Sequence, residues 1–258
     1  MEVNERVGQT GRVVDHQFSD IGLASLYDVL HPWDQRDDLD FYLELVMTAD
    51  AVLDVGCGTG ALLHRARESG HTGRLCGLDP AVGMLAQARR RSDIEWVLGD
   101  LASAHWEREL DLTVMTGHAV QVLVEDDDLH SSLGAVRAAL NDEGRFVFET
   151  RNPLVRAWEG WIPDNATEMN DGDGTVVRMA HQVESPVIGD IVRFTTTYTS
   201  PDWDRPEESQ STLRFLDANS LSRHLSDAGL GIEKQFGNWS REPLTESSPE
   251  IITIARPV

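Results

Sequence analysis

"AVLDVGCGTG", Ala51 to Gly60, is an apolar run that closes on a carboxylate, Asp54, and leads within two residues into three glycines, Gly56, Gly58 and Gly60. An apolar run this short and this continuous describes a strand covered on both faces. Glycines crowded behind it mark a turn whose backbone needs positive φ or must lie open to a ligand. The flanking sequence repeats the unit. A helix is predicted over about 60–69, a strand at 74–78, and a helix opened by "DPAVGMLAQARRR" with Pro80 near its first turn. Strands at 95–98 and 111–116, a helix over about 127–140 and a strand at 145–150 complete the series. Strand–helix alternation of this kind predicts a parallel sheet with helices on both faces.

On either side of this core the pattern changes. From Phe18 to Val46, apolar residues recur at helical spacing before and after Pro32, which predicts two short helices. Residues 1–15 are polar and aperiodic, and a frayed or partner-dependent start is expected there. Segments 175–185, 190–199 and 209–216 alternate polar with apolar and are separated by turn-rich pieces, as antiparallel strands are. "DANSLSRHLSDAGL" then reads as a helix capped by Asp217 and stopped at Gly229, ahead of strands at 231–237 and 250–256. The expected organisation is one domain. It has an N-terminal helical lid (1–46), a Rossmann-like α/β core (47–150 and 217–258) whose doubly wound sheet is mostly parallel with an antiparallel last strand, and an inserted antiparallel β segment (151–216) facing the substrate.

Composition narrows the function. Twenty-two Lys and Arg against 44 Asp and Glu give a formal charge of −22, which repels phosphate backbones and anionic lipid surfaces. Nucleic acid and membrane are therefore not expected partners. No apolar run reaches the roughly 18 residues a bilayer span needs, and the opening "MEVNERVGQTGRVVDHQ" lacks the basic-then-apolar layout of a signal peptide. A cytoplasmic location is expected, with the choice between monomer and homodimer left open. Cys57 and Cys76 have no C-x-x-C spacing and no accompanying His cluster, so free thiols and no metal site are expected.

A strand that enters a glycine turn and leaves as a helix suits two nucleotide ligands. The dinucleotide fingerprint can be scored as Gly56, Gly58 and Ala61, with Asp79 about 20 residues on to hold a ribose. Asp54 argues against it, since a pyrophosphate at that turn would face a like charge in a partly desolvated crevice, at about a kcal/mol or more of repulsion. S-adenosylmethionine carries a sulfonium and an ammonium instead, and an acidic strand end attracts it. The second strand ends "CGLDPA", which puts Asp79 within reach of both ribose hydroxyls, and the third runs "IEWVLGDLA", which puts Asp100 near an adenine amino group. Asp54, Asp79 and Asp100 thus end three successive strands.

"VLDVGCGTG", "GLDPAVGMLAQAR", "WVLGDLA" and "LDLTVMTGHAVQVL" resemble the successive motifs of the class I S-adenosylmethionine-dependent methyltransferases, over roughly residues 40–150 and the final strand pair. The resemblance implies that Gly56, Cys57, Gly58 and Gly60 contact the methionine part of the cofactor and Asp79 the ribose. It also implies Pro80 and Met84 beside the adenine, Asp100 and Leu101 at its edge, and Thr116 to His118 near the sulfonium. The lid and the insertion match no family-wide motif and would set the substrate.

In-line methyl transfer needs chiefly alignment, and a base helps when the acceptor is a hydroxyl. His118 and Tyr27 are the catalytic candidates: His118 follows the fourth strand beside the expected methyl, and Tyr27 lies in a segment similar to the lid helix of many small-molecule members. Candidate substrate contacts are Tyr27, His31, Trp33, Arg151 and Asn152. His181, mid-strand in the insertion, reads as structural. "VEDDDLH" reads as acids at a helix N-terminus rather than a metal site, and "NDGDG", Asn170 to Gly174, as a hairpin turn rather than a calcium loop. The expected activity is methyl transfer to an N or O atom of a small metabolite. The alternatives are an NAD-dependent oxidoreductase and an S-adenosylmethionine-binding protein without methyl transfer. Absence of an Asn/Asp-Pro-Pro-aromatic signature after the fourth strand weighs against base modification.

Overall fold

A computed structural model describes residues 14–170 and 174–258. The helices are α1 (His16–Ser19), α2 (Ile21–Leu30), α3 (Asp37–Val46), α4 (Ala61–Glu68), α5 (Val82–Ala88), α6 (Asp126–Ala139) and α7 (Ala218–Asp227). The strands are β1 (Ala51–Val55), β2 (Arg74–Asp79), β3 (Glu95–Leu98), β4 (Leu110–Met115), β5 (Leu140–Arg151), β6 (Thr167–Asn170), β7 (Val176–Val183), β8 (Ile191–Thr199), β9 (Glu207–Arg214), β10 (Leu230–Phe236) and β11 (Glu250–Pro257). Seven strands form one sheet in the order β10–β11–β5–β4–β1–β2–β3, and β6–β7–β8–β9 form a second, antiparallel sheet. In the large sheet β1 to β5 pair in parallel, while β11 runs antiparallel to both β5 and β10. The chain is thus the doubly wound α/β fold that the alternation predicts, with its antiparallel last strand.

The strand order reverses at β1, which lies between β2 and β4, so the crevice opens at the carboxyl ends of these strands. Both faces of β1 are covered. Leu53 and Val55 point into a core with α6 and α7, and Val52 into a core with α3 and α4. Local signals end the elements where the sequence places them. Pro32 follows the end of α2, Asp217 caps α7 by accepting from the Ser220 N–H at 2.8 Å, and Gly229 takes φ +73° just past that helix.

Two features were not anticipated. β6 is a short, mostly exposed edge strand, too polar to signal itself; it pairs antiparallel with β7, while residues 171–173 of the expected hairpin turn lie outside the described residues. The N-terminal helices are also more firmly held than a loose lid. Of the expected frayed start, residues 1–13 lie outside the described residues, but from Asp15 onward the chain is sewn to the second sheet. Ser211 Oγ donates to Asp15, the Gln17 N–H to Ser209 Oγ at 3.1 Å, and Tyr198 Oη to the Gln17 side chain at 2.8 Å. Leu23, Leu26 and Leu30 of α2 pack on Val177, Met179 and Tyr198 of that sheet, while Ala24 packs on Ala81 and Met84 beside α5. α2 is therefore clamped between the insertion and the core.

The clamp closes over Gly83. A Cβ there would lie 2.7–2.8 Å from the carbonyl oxygens of Phe18, Ser19 and Asp20, backbone atoms that yield only by moving the lid. Gly83→Ala is expected to destabilise the protein by about 1–3 kcal/mol, as overpacking does, and to speed amide exchange selectively across residues 16–30. Hydrogen-exchange mass spectrometry checks this, and unchanged protection of α2 would show that the clamp does not hold the lid.

Candidate functional site

The glycine turn joins β1 to α4. Gly56, Gly58 and Gly60 all have positive φ, +73°, +55° and +78°, and they do different work. A side chain on Gly60 would collide with the Trp96 indole, so this glycine serves close packing. A Cβ on Gly58 would meet nothing nearer than Met84 Sδ at 4.0 Å, so this backbone borders open space. The Gly58 N–H donates to one oxygen of Asp79 at 2.8 Å and the Ala81 N–H to the other at 2.7 Å. Asp79 thereby locks the turn to the end of β2, with lone pairs to spare on both oxygens. Met84 and Leu101 are buried and Pro80 is exposed. Asp100 ties off its own loop by accepting from the Ala102 and Ser103 N–H groups at 3.1 and 3.0 Å. Cys57 and Cys76 are buried free thiols, both pushed upward in pKa by burial.

Asp54 is almost fully buried, and its Oδ1 has no hydrogen-bond partner among the described residues. Burial, with the Asp79 carboxylate beside it, pushes Asp54 up to about 7 against the pull of Arg36; burial pushes Asp79 up to about 6 against its two N–H bonds. Two buried carboxylates that resist ionisation, one with an orphaned oxygen, would be relieved by a cationic ligand. The ammonium and sulfonium of S-adenosylmethionine fit that role, and a dinucleotide pyrophosphate does not.

Residues that no local motif announced complete the rim. Thr59 Oγ1 donates to Asp28 of α2 at 2.6 Å, which ties the glycine turn to the lid. Arg36, between α2 and α3, pairs with the buried Asp38, and its Nη2 stands 3.6 Å from where a Gly117 Cβ would be. Its guanidinium is suited to the cofactor carboxylate.

Next to this acidic corner lies a second cluster. Thr116 directly follows β4, and His118 comes two residues later in the left-handed region at φ +63°. Glu149 of β5, fully buried, holds that conformation: it accepts from the His118 N–H at 2.8 Å and from the Tyr42 hydroxyl. His118 Nε2 lies 3.0 Å from Glu250 Oε2 at the start of β11. Burial and the neighbouring Arg151 hold His118 down to about 3, hence neutral, while burial pushes Glu250 up to about 7. Arg151, at the end of β5, donates to Gln121 Oε1 at 3.0 Å and lies 5.2 Å from the Trp161 ring centre. From the lid, the Tyr27 ring lies 4.7 Å from that of His31, tilted by 55°, and burial with Arg36 keeps His31 near 4. His181 of β7 faces the same region, with Nδ1 on Thr196 Oγ1 at 3.0 Å, and feels the field of Arg151.

Tyr27, His31, His118 and Arg151 are thus drawn toward one cleft, and two expected substrate residues are not. Trp33 covers the Arg65 guanidinium at 4.9 Å and donates to Asp40 at 2.9 Å, on the outer side of α4. Asn152 is spent on backbone. Its amide donates to the carbonyls of Thr245, Glu246 and Ser248, and its oxygen accepts from the Leu154 N–H, so it fastens a loop. The acids of "VEDDDLH" occupy the first turn of α6, and Asp126 pairs with Arg214 at 2.6 Å.

Residues 52–144 match the family model described as a methyltransferase domain. Over that stretch the chain is similar to the class I S-adenosylmethionine-dependent methyltransferases. Its sequence is 38% identical over 117 residues to a 2-phytyl-1,4-naphtoquinone methyltransferase of Thermosynechococcus vestitus, covering 40% of this chain and 51% of that protein. The match therefore spans about half the length of that relative. A longer match, 26% identical over 213 residues and 78% of this chain, covers 79% of the trans-aconitate 2-methyltransferase of Escherichia coli O157:H7. Among solved structures, an S-adenosylmethionine-dependent methyltransferase from Clostridium acetobutylicum superposes with a TM-score of 0.72 at 19% identity, over 91% of this chain and 97% of that one. Among the described residues no helix is long and apolar enough to cross a membrane.

The buried carboxylates have a pH signature. A carboxyl whose pKa is higher folded than unfolded binds its proton more tightly in the native state, so the ligand-free protein loses stability as pH rises from the ordinary value of 3.8 toward about 7. Asp54→Asn is expected to flatten that decline, so that the variant's urea midpoint exceeds the wild type's above pH 7 and converges with it near pH 4. Urea titrations across that range check this, and parallel curves would refute it.

Proposed function

We propose that this chain transfers a methyl group from S-adenosylmethionine to an N or O atom of a small molecule. The observation that carries the reading is the orphaned oxygen of Asp54, buried beside Asp79 at the mouth of an open glycine turn. That arrangement calls for a cationic ligand with a ribose. Asp54 would hold the ammonium, Asp79 the ribose hydroxyls, Arg36 the carboxylate, and Met84 and Leu101 the adenine face. When bound, S-adenosylmethionine supplies an electrophilic methyl on a sulfonium leaving group.

The chain's own contribution is alignment and proton handling. Glu149 fixes the loop after β4 by its bond to the His118 N–H, so the imidazole is positioned through the backbone as well as through Glu250. Thr59 and Asp28 hold α2 across the turn, which excludes water and presents Tyr27 to the acceptor. A proton lost by the acceptor has a receiver in the His118–Glu250 pair, since Glu250 stands at about 7 and shares a hydrogen bond with the neutral imidazole. The two relatives' named acceptors, a naphthoquinone and trans-aconitate, are both small molecules, which supports a small acceptor here.

Calorimetry is expected to show S-adenosylmethionine binding and no binding of NAD, with Asp54→Asn and Asp79→Ala each weakening the former by about 1.5–3 kcal/mol, the worth of a charged hydrogen bond. Preference for NAD, or unchanged affinity in both variants, would overturn the assignment. His118→Ala separates the acceptor atoms by steady-state kinetics. A hydroxyl acceptor should lose about 10²-fold or more in kcat, and an amine arriving neutral much less.

A further inference from the structure

Arg151 is a half-buried cation that no carboxylate pairs directly among the described residues, although Glu250 and Glu149 act on it through space. No carboxylate oxygen among the described residues lies within 4.0 Å of its guanidinium. The two acids nearest to it are engaged elsewhere: Glu250, opposite Arg151 across the β5–β11 pairing, bonds His118, and Glu149 bonds Tyr42 and the His118 N–H. Among the described residues, Nη1 alone of the guanidinium nitrogens has a hydrogen-bond partner, the neutral amide oxygen of Gln121. The Trp161 ring lies 5.2 Å from the guanidinium carbon. Trp161 comes from the insertion and Tyr27 from the lid, so Arg151 stands where all three parts of the chain meet, on the acceptor side of His118.

Resting on the methyltransferase reading, we propose that the free donors of Arg151 seat a carboxylate carried by the methyl acceptor, which makes the substrates small carboxylic acids. An arginine fork matches a planar carboxylate with two parallel hydrogen bonds. Charge selects a carboxylate over a phosphate group. One guanidinium balances one negative charge, and a dianion would leave its second charge between Glu149 and Glu250 in a chain of formal charge −22. A neutral amine would leave the guanidinium half-buried and unpaired, which is unfavourable. Trp161 supplies an apolar wall for the rest of the acid. The carboxylate is a handle, and the methylated N or O atom lies elsewhere on the molecule.

The test uses the full chain saturated with S-adenosylhomocysteine. Cinnamate and benzoate, both monocarboxylates, are titrated by calorimetry and ligand-observed NMR, with benzamide and inorganic phosphate as controls. Both carboxylates are expected to bind at least about tenfold more tightly than benzamide or phosphate. Arg151→Gln should weaken them about tenfold or more, Arg151→Lys by less, and neither variant should move S-adenosylhomocysteine affinity more than about twofold. Equal binding of benzoate and benzamide, stronger binding of phosphate, carboxylate affinity unchanged in Arg151→Gln, or no saturable carboxylate binding to the loaded wild type would each overturn the carboxylate seat and leave the methyltransferase reading intact. Failure of the wild type to bind S-adenosylhomocysteine would overturn both. The acid–amide comparison is made on the wild type, so it decides the matter even where a variant misfolds.

Discussion

Asp54 and Asp79 stand at the carboxyl ends of neighbouring parallel strands, buried, mutually repelling and raised toward neutral pH. A fold does not keep two such groups together without compensation. For Asp79 the compensation is internal, in the N–H groups of Gly58 and Ala81; for Asp54 it is only partial, in the field of Arg36. The rest of the rim follows from this imbalance. The Gly58 amide points back at Asp79 from a turn whose three glycines all have positive φ, and α2 is drawn over the turn by the Thr59–Asp28 bond. Under the proposed function, the ammonium of the cofactor would complete this partial compensation at Asp54.

On the other side of His118 the sign is reversed. Arg151 has no carboxylate in direct contact among the described residues, and burial together with its field lowers the pKa of both His118 and His181. In the proposed reading, an acidic half would take the cofactor and the side carrying Arg151 the acceptor, with the His118 imidazole between them. Such a division lets a cationic donor and an anionic acceptor enter the same cavity with opposite ends facing, and it orients each before any contact with the other.

The parts of this site that were legible in the sequence are those whose neighbours in space are also neighbours in the chain. Gly58 and Asp79 belong to one strand–helix–strand unit, and His118 directly follows a strand of the same sheet, so position along the chain places them at one crevice. The remainder is assembled across long separations. Glu250 lies 132 residues from His118, and Ser211 lies 196 from Asp15, and nothing in the residues near His118 or Asp15 announces such a partner. Trp33 and Asn152 illustrate the converse. Each sits in a segment beside the cleft, but an aromatic ring can as well cover an arginine on a helix, and an amide can as well close a loop. Only the position of the side chain decides between these uses.

The clamp on α2 has an implication for how selectivity is encoded. One side of this helix rests on the second sheet and the other on α5, and its Tyr27 and His31 pack ring against ring. Residues in the insertion that never approach the acceptor therefore still set the height and tilt of the roof above it. Exchanging the insertion alone between two homologues would seat a foreign floor beneath an unmatched ceiling, and acceptor choice would transfer only with both segments grafted together.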